Sequence, residues 1–298
     1  MKKLIKIILI KFGLMEQLKY YLKIIETMFI SDEKYYKDIY FKLFNKKLNI
    51  NNPQTFNEKI IKRILFDKKD IYSDLADKYK VRSFVRDKVG EEYLIRLYGV
   101  YNKVEDIDFD ILPNEFVLKC NHDSGSVFIC KDKKTFEFSK VKKKLKFYLK
   151  RNFYYLTREW HYKNIQPCII CEEKLSDNTD YKFHCFNGQV EFIEFTQGRF
   201  YDEIRTNIYG REWNLLPILI SGRRNTDDPK EKPKNLEKML WIAEKLSKNF
   251  EYVRVDLYNP NGVIKFGEMT FTPAGGLDDM PENFDKYLGG LWDKTEKR

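Results

Sequence analysis

The stretch VRVDLYNPNGVIKFGEMTFTPAGG, Val253 to Gly276, places two apolar strand-like runs on either side of a turn, with Arg254, Asp256 and Glu268 inside those runs. Pro260 suits the first central position of a type I turn, Asn261 the second, and Gly262 the left-handed position that closes a three-residue hairpin loop. That loop predicts Asn259 opposite Val263 and, further along, Arg254 opposite Glu268. Side chains alternate with period two, so Arg254, Asp256, Glu268, Thr270 and Thr272 fall on one face, and Val253, Val255, Leu257, Met269 and Phe271 on the other. A two-residue loop would separate Asp256 from Glu268, so the shared face depends on the glycine. A half-exposed hairpin with one solvated face would satisfy the alternation by itself. Two carboxylates mixed with an arginine and two hydroxyls are, however, hard oxygen donors of the kind Mg²⁺ takes together with substrate phosphates.

The rest of the chain sets the frame for that hairpin. Its 298 residues allow one large domain or two lobes around a cleft, and a hydrophobic content of 43% supports a packed core. The net charge of +10 raises nucleic acid as a partner, but the lysines are dispersed among 45 acids and form no arginine-rich tract. Phosphorylated nucleotides, acidic sugars or an anionic membrane surface fit such a balance better, and no nucleic-acid partner is expected. The five cysteines, at 120, 130, 168, 171 and 185, are expected as reduced thiols in a cytoplasm. Cys168 and Cys171 form a C-x-x-C inside an apolar run; strand spacing turns the two sulfurs to opposite faces, and no second pair completes a zinc site. At the N-terminus, MKKLIKIILIKFGLM is interrupted by Lys6 and Lys11 and is too short and charged to span a bilayer. It reads as a basic amphipathic helix resting either on a membrane surface or on the protein itself.

Read along the chain, residues 1 to about 50 are expected to be helical. Thr55 and Glu58 form a capping box for the helix of NPQTFNEKIIKRILF. DLADKYKVRSFVRDKVG predicts one helix ended by Gly90, and YLIRLYGVY a strand. EFVLKCNHDSGSVFIC predicts strand, polar loop, strand, and FSKVKKKLKFYLKR a basic helix. QPCIICEEKL reads as a buried strand. DYKFHCFNGQVEFIEFTQG reads as a hairpin about Asn187-Gly188, and NLEKMLWIAEKLSKNF as an amphipathic helix. Hairpins with helices on one side describe an α+β architecture with antiparallel sheets.

In the loop KCNHDSGSVFIC, Lys119 shares a strand face with Val117 and Asn121, just before Ser124, Gly125 and Ser126. Backbone amides of such a loop can cradle phosphate while the lysine neutralises it. A plain hairpin with a snorkelling lysine is the alternative. Neither a Walker-type loop nor G-x-G-x-x-G is present.

Taken in order, NPQTFNEK, LADKYKVRSFV, YLIRLYGVY, FVLKCNHDSG, DYKFHCFNG, VRVDLY and FGEMTFTPAGG resemble the ATP-grasp superfamily, and most closely its teichuronopeptide-biosynthesis-like (TupA-like) branch, over roughly residues 40 to 290. The resemblance implies an ATP-grasp fold: two α+β lobes with antiparallel sheets gripping ATP, preceded by an N-terminal helical segment. Residues 1–50 would be that segment and 51–298 the catalytic domain, with a hinge near 168–176. It also implies roles. Lys78 and Lys119 would contact nucleotide phosphates, and Ser124, Gly125 and Ser126 would close over them. Glu172, Glu173, Lys174 and Leu175 would hold adenine through their backbone, Asp180 the ribose, with Lys182 nearby. Asp256 and Glu268 would bind Mg²⁺, and Arg254 would face the acyl-phosphate transition state. Thr270 stands where the superfamily often has asparagine and would be a weaker, hydroxyl ligand.

No histidine or cysteine nucleophile is required by this chemistry, so His161 and His184 are read as structural and His122 as the one histidine nearest phosphate. The implied function is an ATP-dependent carboxylate–amine ligase for a capsule or cell-surface polysaccharide precursor, joining an amino acid or amine to a carboxylate such as a uronic acid. The setting expected is the cytoplasm, at the inner face of the membrane if the N-terminal helix touches it. A sugar kinase using the same nucleotide site, or a basic binding module without catalysis, are the alternatives.

Overall fold

The computed structural model describes residues 15–177, 179–197, 204–220 and 229–294. The basic segment expected to meet a membrane, residues 1–14, lies outside them.

Two antiparallel sheets organise the chain. The smaller has four strands in the order β1-β4-β2-β3: β1 Leu97–Tyr101, β2 Phe116–Cys120, β3 Val127–Cys130 and β4 Ile169–Glu172. The larger has six in the order β10-β9-β5-β6-β7-β8: β5 Asp180–Phe186, β6 Gln189–Gln197, β7 Arg205–Gly210, β8 Leu215–Leu216, β9 Tyr252–Tyr258 and β10 Lys265–Thr270. Only residues 173–179 lie between β4 and β5, so the chain passes from one sheet to the other within that short segment.

Each sheet buries one face under helices, as period-two alternation requires. In the small sheet Phe116, Leu118, Cys120, Ile169 and Cys171 pack on Val141, Leu145 and Tyr148 of helix α6, Phe138–Lys150. In the large sheet Phe183, Cys185, Ile193, Val253, Val255 and Leu257 pack on Met239, Ile242, Ala243 and Leu246 of α8, Leu236–Ser247. The opposite face of the large sheet is divided. One end, with Phe186, Phe192, Ile208 and Tyr252, is covered by α3, Phe56–Phe66, and α9, Glu282–Trp292. The remainder of that face is polar.

Local signals act where expected. Thr55 caps α3, accepting from the Glu58 amide while the Glu58 carboxylate accepts from the Thr55 amide. Asn187 and Gly188 have φ of 49° and 80°, the left-handed pair that a type I′ hairpin turn needs. The N-terminal helices divide between the two halves: α1, Met15–Thr27, puts Tyr20 against the small lobe, and α2, Asp32–Phe44, puts Tyr36 and Tyr40 against the large one.

Three expectations are corrected. The single helix predicted over 74–90 is two, α4, Asp70–Ala76, and α5, Val81–Lys88, because the carboxylate of Asp77 caps the amides of Tyr79 and Lys80 in a turn between them. The strand predicted from Tyr93 begins only at Leu97, residues Glu91–Tyr93 forming a 3₁₀ turn. The hairpin register also differs. Asn261 as well as Gly262 is left-handed, at φ 53° and 81°, so the loop is longer than three residues and the first pair is Tyr258 with Lys265. Continued unchanged, that register would set Asp256 opposite Gly267 and turn Glu268 toward the apolar face. Gly267 is instead a bulge, after which Glu268 pairs Asp256 and Thr270 pairs Arg254. The carboxylates share a face through Gly267, not through the turn glycine.

Candidate active site

The polar part of the large sheet is a continuous row. The register sets Asp256 beside both Lys182 and Glu268, Arg254 beside both His184 and Thr270, and Glu194 beside Lys182. Arg254 donates Nε to Asp256 Oδ1 at 2.6 Å and Nη2 to Asp256 Oδ2 at 2.8 Å. The same Nη2 reaches Glu268 Oε1 and Thr270 Oγ1, each at 3.1 Å. Three oxygen-bearing side chains therefore converge on one cationic nitrogen. Lys182 Nζ stands 2.8 Å from Asp180 Oδ2 and 3.9 Å from Asp256 Oδ2, which links this cluster to Asp180.

Burial governs the protonation of the row. It pushes the Asp256 carboxyl up to about 6, against the pull of Arg254 and Lys182. Burial also opposes the Arg254 charge, yet Asp256 and Glu268 hold its pKa well above the ordinary value. Glu194 is buried too, but the His184 ring, Nε2 3.6 Å from its Oε2, and the charges of Lys182 and Arg254 keep it well below the usual carboxylate range. His184 itself is pushed down to about 4 by desolvation, stacked on Phe192 with Nδ1 bonded to Tyr252 Oη.

Asp180 also lines a cavity of about 430 Å³ where the sheets meet, with Val117, Lys119, Val127, Ile129, Glu172–Ser176 and Tyr258. The apolar walls come from β2 and β3 and the polar rim from the chain leaving β4, a lining typical of small-molecule sites. Lys119 is aimed into it and held by Glu172, Nζ to Oε2 at 2.5 Å; the other Glu172 oxygen binds Arg82 Nη1 at 3.0 Å. Within the rim, the Glu173 amide already donates to the Arg96 carbonyl at 2.9 Å.

The loop between β2 and β3 is less open than its sequence suggests. Ser124 and Gly125 are exposed, Gly125 at φ 93°. Ser126 is buried, donating to Asp123 and accepting from the Cys120 amide at 3.1 Å, so its hydroxyl is committed to the loop's own structure. His122 is also buried, with Nε2 3.1 Å from the Tyr148 carbonyl and 3.0 Å from the Arg151 carbonyl; this corrects its expected place near phosphate. Asn121, expected beside Lys119, turns to the Cys168 amide at 2.7 Å. Lys78 does reach the loop, Nζ to the Asp123 carbonyl at 2.5 Å and its amide to the Asn121 carbonyl.

The structure thus gathers Lys119, Glu172–Leu175 and Asp180 about one cavity, Lys182, Arg254, Asp256, Glu268 and Thr270 on the adjoining sheet face, and Lys78 with Ser124–Gly125 at the loop. Sequence reasoning missed Glu194, the Glu172 side chain and the Arg151–Asp123 pair, at 2.6 Å. Glu194 joins the polar face only because β6 carries one extra residue, Glu191, between the pairs His184–Phe192 and Cys185–Val190. A straight Asn-Gly hairpin register would point it the other way. Among the described residues no group of three or more His, Cys, Asp and Glu is arranged to hold a metal by itself.

Comparison with known proteins gives a family. The family model described as TupA-like ATPgrasp matches residues 58–292. No curated protein is similar enough to count as a relative. Among solved structures, D-alanine–D-alanine ligase from Bacillus anthracis complexed with ATP is 17% identical, covering 67% of this chain and 54% of its own, at a TM-score of 0.39. The L-amino acid ligase from Bacillus licheniformis is 12% identical, covering 83% and 56%, at 0.47. The ATP-grasp ligase PsnB complexed with minimal precursor is 12% identical, covering 74% and 60%, at 0.41. The chain spans little more than half the length of these proteins, and the family assignment rests on the family model alone.

Proposed function

The chain belongs to the TupA-like ATP-grasp family, and from that premise we propose that it is an ATP-dependent ligase that activates a carboxylate as an acyl phosphate and passes it to an amine. The observation that carries the reading is the convergence of Asp256, Glu268 and Thr270 on one nitrogen of Arg254, joined through Lys182 and Asp180 to the cavity. In the proposed arrangement residues 51–298 form the catalytic unit, with the hinge at 168–176. Adenine lies in the cavity against the backbone after Glu172 and the ribose near Asp180, while Lys119, Lys78 and the Ser124–Gly125 tip meet the phosphates.

The donor set fits Mg²⁺: it is all oxygen, carries two carboxylates, and already gathers around a positive charge. Bound there with the nucleotide, Mg²⁺ would neutralise charge on the transferred phosphoryl group. The protein's own share is positioning and electrostatics. Glu172 aims Lys119, Lys182 spans Asp180 and Asp256, and Arg254 supplies a charge that cannot be lost by deprotonation. A substrate carboxylate oxygen attacks the γ-phosphorus and ADP departs. The amine then attacks the acyl carbon, phosphate leaves, and the amine proton passes to solvent. The branch resemblance supports a uronic acid of a capsule or cell-surface polysaccharide precursor as the carboxylate.

Hydroxylamine trapping tests the reaction class. With Mg-ATP and a panel of uronic acids, a ligase yields a hydroxamate, and phosphate release depends on the acid. A stable phosphosugar without hydroxamate would establish a kinase and overturn the ligase reading.

A further inference from the structure

Helix α1 carries a feature that the nucleotide site does not use. Leu18, Tyr21, Leu22 and Ile25 recur at helical spacing along its outer side, Met28 and Phe29 follow in the turn that leaves it, and the six are 40–89% exposed. Surface apolar residues scattered singly need no explanation, but a stripe of four on one helix face continued by two in the adjoining turn does. The other face is fixed to the small lobe. Tyr20 is buried and accepts from the Asn152 amide at 3.0 Å, and Glu16 accepts from Tyr148 Oη at 2.8 Å and from Arg151 at 3.3 Å. The stripe is therefore presented by a rigidly seated helix.

We propose that this stripe docks the protein in the plane of an anionic lipid surface. The charge of the sequence that leads into and forms α1 selects that occupant. Residues 1–14, which lead directly into α1, contain Lys2, Lys3, Lys6 and Lys11 and no acid, and Lys19 and Lys23 follow within the helix. Of the two acids in residues 1–29, Glu16 is turned inward to Arg151, which leaves Glu26 alone against six lysines. Apolar residues on one face with flanking lysines are the pattern of a helix lying in a membrane interface, where burial of side chains and attraction to anionic headgroups add. A second copy fits poorly, because two segments of the same net positive charge repel each other. Among the described residues no helix is long and apolar enough to cross a membrane.

The position suits a lipid-carried substrate. Arg151, which holds Glu16, also holds Asp123 in the β2–β3 loop, so a docked α1 lies two side chains from the proposed phosphate loop. The proposal does not rest on the ligase chemistry, since docking is read without ATP. The test is co-sedimentation of the full chain with phosphatidylcholine vesicles, with and without phosphatidylglycerol, at low and high salt. Binding to the anionic vesicles only, weakened by salt, is expected. Ile25→Glu and Phe29→Glu should each reduce it about tenfold or more, since each removes an apolar group from the docking face and adds repulsion. Ile111→Glu, at an exposed apolar residue that is not part of the stripe, should leave it unchanged. Unchanged thermal unfolding of the three variants shows that the fold is kept. Several results would overturn the proposal: no binding by the native chain, as when residues 1–14 cover the stripe; equal losses in all three variants; or a concentration-dependent dimer that Ile25→Glu disperses.

Discussion

Arg254 touches Asp256 twice and Glu268 and Thr270 once each, so its guanidinium occupies the position toward which the proposed metal ligands point. Asp256 and Glu268 are then held together before any nucleotide arrives, and each should matter to the reaction more than to folding. Asp256→Asn and Glu268→Gln are expected to keep the fold and lower turnover by roughly a hundredfold or more, since each removes a full charge from the proposed metal site. Steady-state phosphate release beside a thermal melt checks both. Glu159 is the residue with the opposite character. It is buried and accepts from Thr272 Oγ1 at 2.6 Å, and among the described residues the basic side chain within ion-pair reach is His161, at 3.8 Å. Burial pushes His161 down to about 3, so no cation answers the carboxylate, and burial pushes Glu159 up to about 7. A carboxyl raised in the folded state gives its full stability below the unfolded pKa, and that contribution is lost as pH rises through about 7. Glu159→Gln should flatten the fall in stability between pH 5 and pH 8, a difference on the order of 3 kcal/mol. Urea melts of both proteins at the two pH values measure it.

At the scale of the element, single extra residues decide which acids face the site. In the β9–β10 hairpin the extra residue is Gly267, and in the β5–β6 hairpin it is Glu191. Each shifts the register by one and so moves every later side chain to the other face. A Cβ at Gly267 would lie 3.0 Å from the Asp256 carbonyl oxygen and 3.1 Å from Tyr258 Cε2, so β9 would have to yield. Gly267→Val is expected to cost about 1–3 kcal/mol and to lower activity further than that loss explains, because Glu268 loses its partner across the strand. Comparing turnover per folded molecule with the urea midpoint separates the two effects. The sequence disclosed the strands, the Asn187-Gly188 turn and the membership of Arg254, Asp256, Glu268 and Thr270 in one face. It did not disclose the bulges. Periodicity records which residues alternate, whereas a bulge is set by cross-strand packing on both sides, so the shared face was expected from the wrong glycine and Glu194 was not expected at all.

For the whole molecule, the legible part was the order of motifs, and the hidden part was what long-range contacts do to them. NHDSGS reads as an open phosphate loop, but a residue 28 positions away from Asp123 closes half of it. Arg151 is buried between Asp123, at 2.6 Å, and Glu16 of α1, at 3.3 Å, and its guanidinium stacks on the Tyr148 ring at 4.4 Å. Asp123 in turn fixes Ser126, whose hydroxyl accepts from the Cys120 amide at the end of β2. One side chain thus ties the N-terminal helix, α6 and the loop into the small lobe, while the large sheet has its own core around α8. Arg151→Met keeps the length and packing of the side chain but leaves Asp123 buried without its cation, a change that costs about 3–5 kcal/mol when the charge has no other partner. The loss should be local. Hydrogen exchange is expected to quicken together in α1, in residues 121–126 and at the end of β2, with the amides of β5, β9 and α8 unchanged. Glu16→Gln, which leaves Asp123 paired, should loosen α1 alone. Uniform quickening across both sheets would show instead that the lobes unfold as one unit and that Arg151 has no special hold on the loop.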